Sequence, residues 1–146
     1  MDHLAIMNKN WKLTDKILSR QKKIESRWYA SRRLPWDRIK KNDTVYFKDS
    51  GAPVKLKAAV GKVIQLANLT PSRVRMILNE YGADDGIAAN ELAVFWRKWK
   101  DKKYCILVFL RNPVQLVPFN IDKTGFGAMS SWISVTDINQ IRKKSE

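Results

Sequence analysis

The chain has 146 residues, with 28 Lys and Arg against 14 Asp and Glu and a formal net charge of +14. Its hydrophobic fraction of 45%, with 10% aromatic residues, excludes a disordered basic tail and suits one domain, residues 1–146, with a core of its own. One Cys (Cys105) and one His (His3) exclude an intrachain disulfide and leave too few ligands for a Cys/His zinc site, so neither a metal nor a cofactor is expected.

Residues 3–7 read as a short first strand. Thr14 is the expected N-cap of a short helix with Asp15 in its first turn and Ile17 and Leu18 on its apolar edge. His3 is the one histidine that could serve a serine or cysteine nucleophile, and a surface or strand-edge position is expected for it. From Lys23 the pattern has period two, with Ile24, Ser26 and Trp28 on one side and Glu25, Arg27 and Tyr29 on the other, which predicts a strand leaving the helix. Residues 30–42 read as loop. Asp43 to Lys48 is again a strand, and residues 54–67 form one long strand or two, with Gly61 at a bulge or bend.

The clearest helix follows. Thr70 caps it, Pro71 opens it, Val74, Ile77, Leu78 and Tyr81 make its apolar stripe, and Gly82 ends it. A second helix is expected from Asn90 to Lys100, packed into the core through Leu92, Phe95, Trp96 and Trp99. Residues 103–111 read as a buried strand, and Asn112-Pro113 as a turn into a further strand, Val114 to Phe119. A Gly- and Ser-containing loop over 120–131 precedes a last short strand, Trp132 to Val135, and a basic terminal helix, Asp137 to Lys144. The sum is an α+β domain, with a small, partly closed β-barrel and helices packed at its rim.

The longest apolar run, Cys105 to Leu110, is far short of the roughly 20 residues that span a bilayer. No targeting segment is visible, so a soluble, cytoplasmic protein without a membrane partner is expected. The charge is concentrated instead. Between Lys9 and Lys41, twelve Lys and Arg face only Asp15, Glu25 and Asp37. Trp28, Tyr29 and Trp36 lie among these cations, the combination on which unstacked bases rest. Arg20, Lys23, Trp28, Tyr29, Arg32, Arg33, Trp36, Lys40 and, from the Gly-containing loop, Lys123 are the candidate nucleic-acid contacts. Core packing is the competing reading for Trp28. Asp84-Asp85-Gly86 lacks the spaced ligands of a calcium loop and reads as plain loop.

On a strand, Glu25 and Arg27 share one face about 7 Å apart, and Lys22 at the end of the preceding helix reaches the same place. Such a trio binds a phosphate or a base edge, ties helix to barrel as a salt-bridge cluster, or lowers the lysine's pKa until it acts as a base.

The run Arg20-Gln21-Lys22-Lys23-Ile24-Glu25-Ser26-Arg27 resembles the signature of the ASCH family, Gly-x-Lys-x-x-Glu-x-Arg, with Arg20 in place of the glycine. Asp43-Thr44-Val45 resembles the Gly-Asp-x-Val strand entry of PUA-like proteins, with Asn42 in place of the glycine, and Arg111-Asn112-Pro113 with Leu116 and Pro118 is similar to an ASCH C-terminal half. The resemblance implies a PUA-like barrel and a ligand cleft at Lys22, Glu25 and Arg27, with nucleic acid, RNA foremost, or a modified nucleoside as partner. It also implies an alternative, a small hydrolase acting on acetylated cytidine or on RNA, with Lys22 and Glu25 as the catalytic candidates. Glu25 stands where those enzymes resemble one another in a threonine. A module that docks acidic protein partners is the third reading.

Overall fold

A computed structural model describes residues 1–127 and 129–144. Six strands form one curled, mixed sheet: β1 (Asp2–Met7), β2 (Ile24–Tyr29), β3 (Thr44–Asp49), β4 (Val54–Leu66), β5 (Tyr104–Phe119) and β6 (Trp132–Val135). Their order across the sheet is β2-β5-β4-β3-β1-β6. All neighbours are antiparallel except β1 and β3. Three short helices, α1 (Leu13–Leu18), α2 (Pro71–Tyr81) and α3 (Leu92–Trp99), lie against this half-barrel.

The curl follows from β4. Its alternation buries Leu56, Ala58 and Val60 inside the barrel with Phe47, Ile106 and Val108. Register shifts against β5 surround Lys57/Ala59 and Val60/Lys62, so Gly61 sits at the expected irregularity. The opposite face of β5 buries Cys105 and Leu107 against Val74, Ile77 and Leu78 of α2. That helix is bounded as its sequence predicts: the Thr70 hydroxyl accepts from the Arg73 N–H at 3.2 Å, and Pro71 occupies the first turn.

Several expectations are corrected. Thr14 does not cap α1. Lys12, at φ 53°, precedes the first helical residue, and the buried Thr14 hydroxyl donates to the Asp49 carboxylate. Asn112-Pro113 does not reverse the chain, because β5 runs unbroken through both. Asn112 absorbs the local kink at φ 52°, and Pro113 lies beyond Leu110, where β2 has ended and β4 alone is paired to β5 among the described residues. Residues 137–144 are not a helix. Ile138–Gln140 is one 3-10 turn that buries Ile138 and Ile141, a three-residue spacing that this tighter helix aligns. Arg142 then bridges to Ile121. His3 is fully buried on an interior strand, its Nε2 2.9 Å from Asp43 and its Nδ1 accepting from the Trp132 indole at 3.2 Å. No helix of the described residues is long and apolar enough to cross a membrane.

Candidate functional site

The turn between α1 and β2 carries the Lys22-Glu25-Arg27 run to the edge of the sheet. Arg20 makes that turn at φ 64°, a backbone region that favours glycine. Asn42 holds φ 75° at the entry to β3. Both positions where the ASCH and PUA-like patterns have glycine therefore keep the glycine conformation with another residue. The turn delivers Lys22 into a buried position, 3% exposed, beside Glu25 at 4% and Asp85 at 5%.

These three and Arg27 form one connected network. The Lys22 ammonium donates to Asp85 Oδ1 at 2.6 Å, and to the Asp85 carbonyl at 2.7 Å. It also lies 3.2 Å from Glu25 Oε1. The other Glu25 oxygen accepts from Arg27 Nε at 3.1 Å and Nη2 at 2.8 Å. Asp85 Oδ2 accepts from the Ser26 hydroxyl at 2.5 Å, and Ser26 accepts from the Trp28 indole at 3.0 Å. Gly86, at φ 82°, brings its backbone close to the Lys22 stem, and a Cβ there would lie 3.1 Å from Lys22 Cβ.

Two cations and two carboxylates balance, and the protonation tendencies follow. Burial works against the charge on Lys22, but the Asp85 and Glu25 carboxylates outweigh it and raise the lysine above its ordinary value. Burial likewise pushes Glu25 up, while Lys22 and Arg27 together pull it below the usual carboxylate range. Asp85 stays raised, by burial and by the nearby Glu25 charge, against the pull of Lys22 and Ser26. The lowered-pKa lysine is thus corrected. Three acceptor oxygens surround the three N–H bonds of Lys22, and its lone pair is not available to a substrate.

Above the network opens a cleft of about 430 Å³. One wall is aromatic. Trp28 stacks on Trp99 with centroids 4.9 Å apart and planes 11° from parallel, Trp99 meets Phe95 at 4.9 Å, and Phe95 meets Trp11 edge-on at 5.2 Å. Trp28 is buried as core packing predicts, yet it also lines the cleft. α3 packs on the core as expected, through Leu92, Phe95, Trp96 and Trp99, although none of its residues is fully buried, and Phe95 and Trp99 also line the cleft. Met7, Arg27, Tyr29 and Ser131 also line it.

Among the expected site residues, Lys22, Glu25, Arg27, Trp28 and Tyr29 meet at this cleft. Arg20, Lys23, Arg32, Arg33 and Lys40 are exposed outside it. Trp36 packs edge-on against Tyr104 beneath Arg32, and the Lys123 ammonium donates to the Ser130 carbonyl at 3.0 Å. The exposed cations thus lie outside the cleft lining, which itself holds Lys16, Lys22 and Arg27 with Glu25, Asp85 and Glu91. Asp85, Ser26, Trp11, Phe95 and Trp99 also line the cleft without being expected there: the sequence reads Asp85 as plain loop and Phe95 and Trp99 as core packing. The one available signal was an aspartate beside a glycine in Asp84-Asp85-Gly86, a residue pair suited to a tight turn that points a carboxylate inward. Among the described residues no group of three metal-ligating side chains occurs.

The fold and site define a PUA-like half-barrel with an edge cleft. No protein-family model matches the chain, and no curated protein does. Solved structures do. The ASCH protein of Zymomonas mobilis is 14% identical, covering 99% of this chain and 98% of its own at a TM-score of 0.68. A Tyr-to-Phe variant of it is 15% identical, covering 95% and 93% at 0.68. The hypothetical protein PH0355 is 16% identical, covering 78% of this chain and 100% of its own at 0.52. The chain thus has the ASCH-type fold, as its Lys22-Glu25-Arg27 run implies.

Proposed function

We propose that residues 1–146 form one ASCH-type unit that binds single-stranded nucleic acid, RNA foremost, and that the cleft receives one nucleobase or modified nucleoside of the strand. The observation that carries this reading is the aromatic wall of Trp11, Phe95 and Trp99 facing a buried, charge-balanced hydrogen-bonding floor. Aromatic faces hold a base by stacking, and the carboxylates and guanidinium beside them read its edge. A volume near 430 Å³ falls in the range of small-molecule sites. The net charge of +14 supplies the long-range attraction to phosphate. Hydrolysis would require Lys22 to give up a proton held by three oxygens, so the geometry favours recognition over general-base chemistry.

The test is fluorescence anisotropy with a short labelled single-stranded RNA at low salt. Affinity should fall with salt at a log–log slope of about −0.7 per phosphate contacted. Trp99→Leu should weaken binding roughly 5- to 150-fold, the equivalent of losing one stacked base, with the fold checked by circular dichroism. Absence of binding at low salt, or an unchanged affinity in folded Trp99→Leu, overturns the proposal.

A further inference from the structure

The cleft adjoins a second hollow. A groove of about 410 Å³ is lined by Tyr29, Arg33, Leu34, Ser131 and Trp132 among others. Tyr29 and Ser131 line both spaces, so the two share a wall. Arg27 fastens that wall: its Nη1 donates to the Ser131 carbonyl at 3.3 Å, and its guanidinium lies 5.1 Å over the Trp132 ring. The Tyr29 hydroxyl donates to the Leu34 carbonyl at 2.8 Å, which pins the segment that carries Arg33.

The charges of the two spaces differ. Cleft residues Lys22 and Arg27 are neutralised by Glu25 and Asp85, and the remaining cation of the lining, Lys16, has its ammonium on the Gly86 carbonyl at 3.1 Å, with Glu91 in the same lining. The groove has Arg33, which is exposed and joins no salt bridge among the described residues. No acidic side chain is among the described residues lining the groove. A strand with one base in the cleft can pass its next phosphate over the Tyr29–Ser131 wall, and Arg33 is the cation that lines the groove on that side.

We propose that this groove is a phosphodiester subsite, which takes the phosphate and the adjoining nucleotide next to the one in the cleft, with Arg33 as the phosphate contact. The inference rests on the nucleic-acid reading of the cleft. It makes the protein a reader of at least two consecutive nucleotides rather than of a free nucleoside.

The experiment compares wild type, Arg33→Ala and Lys41→Ala, an equal charge change at an exposed residue that lines neither space. Each is titrated with a short labelled single-stranded RNA across a salt series, with free nucleosides as competitors. Arg33→Ala should weaken RNA binding about 3- to 10-fold and make the salt slope shallower by about 0.7, the share of one phosphate, with nucleoside competition constants unchanged. Lys41→Ala should change affinity less than 2-fold. Equal effects of the two variants, or no effect of Arg33→Ala where Trp99→Leu still weakens binding, overturn the subsite and leave the cleft reading standing. Displacement of the RNA by an oligoglutamate peptide as readily as by unlabelled RNA overturns the phosphodiester assignment. Wild type that does not bind RNA at all overturns the cleft reading and this inference with it.

Discussion

Asp85→Ala is the sharpest perturbation of the buried network. It removes a carboxylate that accepts from Lys22 at 2.6 Å and from Ser26 at 2.5 Å, and it leaves a 3% exposed ammonium with the Asp85 position's carbonyl and the Glu25 carboxylate. Breaking one partner of a buried ion pair costs about 3–5 kcal/mol. Two effects offset part of that: burial disfavours the Asp85 charge, and its loss relieves repulsion with Glu25. The expected loss is therefore near the lower end, about 3 kcal/mol. Asp85→Asn keeps an oxygen for Lys22 and should lose about half as much. Lys22→Met combined with Asp85→Ala retains the Glu25–Arg27 pair and should be less destabilised than the sum of the single changes by about 2 kcal/mol. The assay is urea unfolding at neutral pH with the slope m held constant across variants. Asp85→Ala within 0.5 kcal/mol of wild type, an effect expected only of a surface change, or a strictly additive double variant, refutes the network as a source of stability.

Three further outcomes are expected. Arg20→Gly relieves a residue at φ 64° and should stabilise the fold by about 1 kcal/mol, read as a rise in Tm. Gly86→Ala combines an unfavourable φ of 82° with a Cβ placed 3.1 Å from Lys22, and should lower stability by more than about 1 kcal/mol in the same unfolding assay. Burial holds the His3 imidazole below its ordinary value, against the pull of Asp43. Below the ordinary histidine pKa the unfolded chain binds a proton that the folded chain does not, so stability falls as pH drops through that window, by up to about 1.4 kcal/mol per pH unit. Unfolding of wild type and His3→Gln from pH 7 to pH 5 checks this, and the slope in that range should flatten in the variant.

Local rules made α2 and the alternating strands legible: Thr70-Pro71 at one end, Gly82 at the other, and period-two burial along β4. The Lys22-Glu25-Arg27 trio was legible because spacing on a strand fixes a shared face. The misreadings have one cause, tertiary context overriding local signals. Pro113 signals a break, but where β2 has ended a proline is tolerated on β5. Thr14 has a capping side chain, but Asp49, 35 residues away, takes its hydroxyl. Asp85 joins Lys22 from 63 residues away, and nothing in its local sequence shows that partner. The α3 stripe packs on the core as its periodicity implies, but periodicity alone does not show that Phe95 and Trp99 also border a cleft.

The six tryptophans give the most direct measurement of the central claim. Trp11, Trp28 and Trp99 line the cleft, whereas the Trp96 indole is fixed on the Pro71 carbonyl and Trp36 packs on Tyr104, both away from it. Titration of the labelled protein with short single-stranded RNA, followed through the assigned indole N–H resonances, should move the Trp11, Trp28 and Trp99 signals saturably and leave those of Trp36 and Trp96 in place. Saturable shifts confined to Trp36 and Trp96, or no shift at any indole, would contradict a cleft that holds a base.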